Sequence, residues 1–357
     1  MRQLVSLRKI DALEPIPGAD RIVKAKVEQW YCVVNKDDFK VGDDCLYFEI
    51  DSFLPETEPR FAFIMKAGIK LNNGIRGHRL KTIKLKGQIS QGLALPVNQF
   101  PELDYTKDLA EQLGVSLYEP YIKISGQENA KSLFPSFLRR SDCERLQNLY
   151  SKINKLDAYE ITRKMDGSSA TYYLKDGEFG LCSRNIELKY NPEDSGKYGY
   201  PVKKYGIIER LRAYGKNIAL QGELCGPGIQ SNPEGLYELA FYVYNIFDID
   251  RFEYLNPLER GVVMQYLNNV QVDNTLRLEH VPIIGYINAD KFEVDNNLRL
   301  DNMLTSFEET MKFAEGEFKR PDNGKMVLQE GVVFKSMTGA ESFKVISNKY
   351  LLGEKDE

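Results

Sequence analysis

Apolar runs in the first hundred residues are all short, and turn signals end nearly every one. Leu4-Val5-Ser6-Leu7, Arg21-Ile22-Val23-Lys24-Ala25-Lys26-Val27, Trp30-Tyr31-Cys32-Val33-Val34, Cys45-Leu46-Tyr47-Phe48-Glu49-Ile50 and Gly92-Leu93-Ala94-Leu95 read as strands. Pro15, Pro17-Gly18 and Asp37-Asp38 punctuate them. Strands at this spacing, with no long helical pattern between them, predict a small β-barrel. A chain of 357 residues exceeds the usual single-domain size, so a second domain is expected. The mixed stretch from Pro101 to about Ser125, with Asp104, Lys107, Asp108, Glu111 and Pro120 around a possible helix Leu109 to Leu113, is the natural linker. This divides the chain into 1–125 and 126–357.

The second part opens on a helical spacing, Cys143, Leu146, Leu149-Tyr150 and Ile153, with Ser141 or Asp142 as N-cap. Strand patterns then dominate: Tyr159 to Thr162, Ser169 to Leu174, Ile218 to Gly222, Phe241 to Ile249 and Gly331 to Lys335. Helical stretches from Pro201 to Tyr214 and from Pro257 to Leu267 interrupt them. The expected class is α+β, a barrel followed by antiparallel sheets with flanking helices.

Residue counts narrow the chemistry. Five scattered cysteines, none in a C-x-x-C pair, argue against a disulfide framework and a zinc site. With only His78 and His280 available, a histidine triad lacks material, and catalysis must rest on Lys, Asp and Glu. No apolar stretch approaches the roughly 20 residues of a membrane span, and the start has no signal-peptide run, so a cytoplasmic protein is expected, with no membrane partner. The net charge of −4 alone disfavours nucleic acid. Its distribution restores the possibility: Lys66, Lys70, Arg76, Arg79, Lys81, Lys84 and Lys86 form a run with no acidic residue, interleaved with Gly74, Gly77 and Gly87.

One segment places a lysine where an apolar strand meets a glycine turn: Glu160-Ile161-Thr162-Arg163-Lys164-Met165-Asp166-Gly167-Ser168-Ser169. An amine that attacks phosphorus must be neutral, which requires nearby positive charge or desolvation to lower its pKa from about 10.4. Asp166 can help hold a divalent cation, directly or through water, and Gly167 can let the backbone turn beside a nucleotide. Alone, K-x-D-G is a weak signal. Downstream come Ser183-Arg184-Asn185, Leu220-Gln221-Gly222-Glu223-Leu224, Asn245-Ile246-Phe247-Asp248-Ile249, Glu330-Gly331-Val332-Val333-Phe334-Lys335 and Ser342-Phe343-Lys344-Val345-Ile346. Arg184 offers a fork of donors to ribose, phosphate or an RNA end, and Phe247 a flat platform for a base. Glu223 and Glu330 are carboxylates at strand ends, suited to ribose hydroxyls or a hydrated metal, and Lys344 can neutralise an α-phosphate. Each also has an ordinary reading as a core aromatic, a surface ion pair or a solvated turn.

In order and spacing, these elements resemble the signature motifs of the covalent nucleotidyltransferase superfamily, which contains ATP-dependent ligases and mRNA capping enzymes. The chain most resembles the fifth RNA ligase family, in which an N-terminal OB domain precedes the adenylyltransferase domain. Ile16-Pro17-Gly18-Ala19-Asp20-Arg21 resembles the opening of OB-fold tRNA-binding modules. Phe134-Pro135-Ser136-Phe137-Leu138 with Glu144-Arg145-Leu146-Gln147-Asn148 resembles the start of the family's transferase domain, where Arg145 would touch the nucleotide. After Lys344 the sequence runs only to Glu357, short of the C-terminal OB domain of DNA ligases and capping enzymes.

The resemblance implies an RNA ligase that uses ATP with Mg2+ or Mn2+ and joins a 3′-OH RNA end to a 5′-phosphate through a lysyl-AMP on Lys164, at nicks in duplexes. Lys164, Asp166 and Lys344 would be catalytic, and Arg145, Arg184, Glu223, Phe247, Glu330 and Lys344 would hold the nucleotide. Asp166, Glu223 and Glu330 would hold the metal through water. Arg76, Arg79, Lys81, Lys84 and Lys86 would grip an RNA-containing duplex, and the protein is expected to be a monomer. Two departures stand out. Ile346 occupies the second lysine of the usual K-x-K, for which Lys335 or Lys349 can substitute, and Ser169 stands where some RNA ligases have asparagine. The rival readings are a non-catalytic OB-type RNA-binding protein and a GTP-dependent capping-type transferase.

Overall fold

The computed structural model describes residues 2–119, 129–193 and 196–353. The chain separates into two compact units, 1–122 and 123–357. The expected boundary at 125 falls outside the described residues.

In the first unit the strands pair almost entirely antiparallel. Val5–Lys9 pairs with Asp44–Phe48, which also pairs with Leu93–Pro96. A meander joins Ala12–Pro15, Ile22–Val27 and Trp30–Asn35. Ser52–Pro55 pairs with Ser116–Leu117 and with Ile75–Arg79, whose other neighbour is Lys70–Asn72. Period-2 alternation in Trp30–Asn35 buries Trp30, Cys32 and Val34, which pack with Cys45, Tyr47 and Ala94. A second cluster gathers Leu46, Phe48 and Leu54 on the other side of the strands, with Phe61 and Phe100. Gly77 is obligatory here, since a Cβ would lie 2.2 Å from the Leu54 carbonyl oxygen. The expected helix exists as Leu109–Gln112, where Asp108 accepts from the Ala110 and Glu111 N–H groups.

Among the described residues the second unit holds a two-stranded hairpin, Glu317–Lys319 with Met326–Leu328, and two larger sheets. One runs in the order Ala130–Leu133, Ile186–Leu188, Glu178–Cys182, Ser168–Lys175, Ile218–Cys225, Ala240–Asp248, Glu253–Tyr254. The other runs Glu144–Arg145, Ser342–Ile346, Gly331–Ser336, Tyr159–Lys164, Ile283–Ile287. Helix Pro257–Asn269, closed by a capping box between Asn256 and Glu259, lays Val263, Met264 and Leu267 on the first sheet. Helix Phe307–Phe313 covers the second through Phe307 and Met311. The buried pair Glu160–Arg260, at 2.6 Å, joins a strand of the second sheet to the helix that packs on the first.

Three expectations are corrected. The helix expected from Ser141 is reduced to Leu146–Leu149, because Glu144 and Arg145 join the sheet edge in parallel with Phe343 and Lys344. The helix expected over 201–214 is two, Gly196–Lys204 and Ile207–Tyr214, broken at Gly206 with φ 57. Phe247 is core: it is fully buried, its ring 5.1 Å from Tyr254 and 5.3 Å from Phe252, and Phe137 and Leu138 pack in the same cluster. Phe247→Ala is therefore expected to lower unfolding stability by about 3–5 kcal/mol in denaturant titration, as large-to-small changes in packed cores do.

Candidate active site

Strand register builds the site. In Tyr159–Lys164, Tyr159 and Ile161 enter the core while Thr162 and Lys164 line a cleft of about 510 Å³. Thr162 lies opposite Val333, Val333 opposite Lys344, and Lys344 opposite Arg145. Residues paired across neighbouring strands share a face, so this row carries Arg145 and Lys344 into the same cleft. One step along, Lys164 faces Gly331. A Cβ on Gly331, whose φ is +152, would lie 2.1 Å from the Val345 carbonyl oxygen. Glu330, immediately before it, reaches the amine: Lys164 Nζ donates to Glu330 Oε2 at 2.6 Å.

After Lys164 the chain leaves this sheet and enters the other at Ser168. Gly167 is needed for close approach and not for a left-handed turn, since its Cβ would meet the Leu224 carbonyl oxygen at 2.4 Å and Glu223 Cγ at 2.9 Å. The crossing sets Ser169 opposite Glu223, which brings that carboxylate to the amine. On the next strand a bulge lies between the pairs Gln221–Asn245 and Gly222–Val243 and leaves Tyr244 without a counterpart. Tyr244 and Asn245 both line the cleft, and the Tyr244 hydroxyl is hydrogen-bonded to Ser141 at 2.9 Å and Ser169 at 3.0 Å.

Charge in the cleft is divided. Burial pulls the Lys164 amine down, but Glu330, Glu223 and Asp166 outweigh it and hold its pKa above the ordinary lysine value. Burial pushes the Glu223 carboxyl up to about 7; Lys164 opposes this, and Glu330 and Asp166 add to it. Burial lowers the Lys344 amine, helped by the charges of Lys164 and Arg145. Lys335 is lowered to about 7 by burial and then by Arg260, and its ammonium donates to Asn245 Oδ1 at 2.6 Å and to the Tyr244 carbonyl. Of the two substitutes for the missing second lysine, Lys335 lines the cleft, while Lys349 is 4.0 Å from Glu315.

Among the described residues, no three or more His, Cys, Asp or Glu side chains are grouped so as to hold a metal ion directly. Three carboxylates nevertheless act together on Lys164, and one is already driven toward neutrality. That surplus of negative charge fits a divalent cation held through water.

Arg145, Lys164, Asp166, Arg184, Glu223, Glu330 and Lys344 thus line one cleft, with Arg184 largely exposed and paired to Asp142 at 3.2 Å. Phe247 does not line it. Sequence reading missed Tyr244 as a primary candidate and the segment 226–236, whose Gln230 and Glu234 grip the Lys164 turn. Gly226-Pro227-Gly228, directly after the Glu223 strand, and Asn232-Pro233 were the local signals for that segment.

In the first unit, Arg76 donates to Glu56 at 2.7 Å and Arg79 is 2.5 Å from Asp51. The basic run is therefore partly compensated by acids outside it. Lys81, Lys84 and Lys86 are exposed on and beside the hairpin Ile83–Leu85 and Gln88–Ser90.

A family model described as an OB-fold domain matches residues 4–97, and one described as RNA ligase matches 157–350, more than half of the chain. Solved structures of Naegleria gruberi RNA ligase are 37% identical. An apo variant superposes with a TM-score of 0.79, covering 98% of each chain. The form with pyrophosphate gives 0.78 over 100% of each chain, and a lysine-to-alanine variant with ATP and Mn gives 0.78 over 98% of each. A curated relative, probable polyketide synthase 29 of Dictyostelium discoideum, is 26% identical over 139 residues, which are 36% of this chain and 4% of that protein. No helix among the described residues is long and apolar enough to cross a membrane. With an OB-fold domain ahead of a ligase domain, and likeness to a known RNA ligase along its whole length, the chain belongs to the RNA ligase family.

Proposed function

We propose that the chain is an ATP-dependent RNA ligase that joins a 3′-OH RNA end to a 5′-phosphate through a lysyl-AMP on Lys164, at nicks in duplexes. The observation that carries this reading is the Lys164 amine, partly exposed in a cleft that it shares with Lys344, Arg145 and the carboxylates of Asp166, Glu223 and Glu330. The Naegleria gruberi complexes with ATP and Mn support the choice of nucleotide and metal.

In the first step, Lys164 Nζ forms a bond to the α-phosphorus of ATP, the bond to the bridging oxygen breaks, and pyrophosphate leaves. The amine must first lose a proton, and Glu330, 2.6 Å away, is placed to receive it. Lys344 and Arg145, side by side in the strand row, neutralise charge on the phosphate. Mg2+ or Mn2+, held through water by Asp166, Glu223 and Glu330, would supply the positive charge that lowers the lysine pKa. In the second step an oxygen of the 5′-phosphate takes the AMP and frees the lysine. In the third the 3′-hydroxyl, losing its proton, attacks the phosphorus of the 5′-phosphate, the bond from that phosphorus to the oxygen bridging to AMP breaks, and AMP leaves. Tyr244 replaces Phe247 as the aromatic beside the base, and Arg184 at the exposed rim serves the ribose or the RNA end.

The first unit, 1–125 in this reading, grips the RNA-containing duplex through its basic face, which carries exposed Lys81, Lys84 and Lys86 together with Arg76 and Arg79.

Lys164→Ala is expected to abolish labelling by radioactive ATP while retaining part of the joining of a chemically pre-adenylated strand, because only the first two steps use the amine. A variant still labelled at wild-type level contradicts the assignment. Replacing Lys81, Lys84 and Lys86 together by alanine should weaken duplex binding and flatten the plot of log affinity against log salt by up to about three units, about one for each lysine withdrawn from a phosphate. Lysyl-adenylate formation should remain, and an unchanged salt slope places the RNA grip elsewhere.

A further inference from the structure

Asp166 is held by neutral donors from two segments remote in sequence. The Tyr350 hydroxyl donates to its Oδ2. Gln230 Nε2 donates to its Oδ1 at 3.1 Å and to the Gly167 carbonyl at 2.7 Å. The Asp166 N–H donates to Glu234 at 3.1 Å, and buried Glu234 also accepts from Arg163 at 2.8 Å. Gln230 has φ 47, a left-handed conformation uncommon for such a residue, two positions before Asn232 with φ 54. Tyr350 sits on helix Asn348–Leu352, which Ser347 caps by accepting from the Tyr350 N–H at 3.1 Å. The Ser347 N–H in turn donates to the Glu330 carbonyl at 2.9 Å. The helix that carries Tyr350 is thus bonded to the backbone of one carboxylate of the site, and its side chain to another.

An ionised carboxylate has about four acceptor positions. Tyr350 and Gln230 occupy two of them without cancelling the charge, as an arginine would, and fix the plane in which the other two lie. We propose that Tyr350 is a positioning residue for the adenylylation step, which together with Gln230 locks the Asp166 carboxylate in the orientation that receives the hydrated divalent cation accompanying ATP. This rests on the reading of Lys164 and Asp166 given above.

Tyr350→Phe removes only the hydroxyl and keeps the ring. The loss of one hydrogen bond to a charged group predicts that about tenfold more Mn2+ is needed for half-maximal lysyl-adenylate formation. The KM for ATP at saturating Mn2+ should change by less than about twofold. Water-proton relaxation of Mn2+ titrated into the protein with the unreactive analogue α,β-methylene-ATP should report the same weakening without turnover. Gln230→Met, which removes the other donor, should shift the Mn2+ midpoint in the same direction. An unchanged Mn2+ midpoint in folded Tyr350→Phe, by both readouts, overturns the proposal, as does a loss confined to the KM for ATP. Failure of the wild-type protein to take label from ATP overturns the ligase reading instead, and the relaxation titration still decides the role of Tyr350.

Discussion

The site depends on a crossing between two sheets that occupies only Met165, Asp166 and Gly167. Tyr159–Lys164 is paired on both sides within one sheet, and Ser168–Lys175 is paired on both sides within the other. Neither strand can slide without turning its core residues outward. Gly167 leaves no room for a side chain, so the crossing has one path. The buried pair Glu160–Arg260 ties the first of these strands to the helix covering the other sheet, and breaking such a pair would leave a charge uncompensated in the interior. Lys164 ends the first strand, Glu223 and Glu330 reach it through the register of one sheet or the other, and Asp166 lies in the crossing itself.

Electrostatics follow from that placement. The row Arg145, Lys344, Val333, Thr162 brings cations along one wall, while Glu223, Glu330 and Asp166 surround the amine. The nucleotide-free site therefore holds Lys164 protonated and ion-paired, and Lys344 is eased toward neutrality by burial and then by its positive neighbours. On the proposed reading, a triphosphate with its cation would reverse both tendencies, adding positive charge near the carboxylates and negative charge near Lys344 and Arg145. Lys335 lies deeper, against the Tyr244 bulge, as a buried amine whose charge is already weakened.

Much of this was legible in the sequence because it rests on local pattern. The apolar strand before Lys164, the strand from Trp30 to Val34 and the short helix near Leu109 to Leu113 act over a few residues. The cleft residues came from motifs whose order and spacing resemble the nucleotidyltransferase signature. Phe247 failed because alternation cannot reveal what covers a strand face, here Phe137, Leu138 and Tyr254. Tyr244 was hidden for a related reason, since a bulge breaks the period-2 rule that would have placed it. Helix formation at Ser141 lost to a two-residue parallel pairing with Phe343 and Lys344, which helix spacing cannot foresee. The hydrogen bond between Tyr350 and Asp166 joins residues 184 positions apart and left no local mark.

The central claim is that Lys164, and no other amine of the cleft, carries the nucleotide between steps. Peptide mass spectrometry of protein incubated with ATP and Mn2+ and then denatured under conditions that preserve phosphoramidates tests it most directly. The account predicts one added AMP, confined to Lys164. AMP on Lys335 or Lys344, or no covalent nucleotide on a folded, ATP-binding protein, would contradict it.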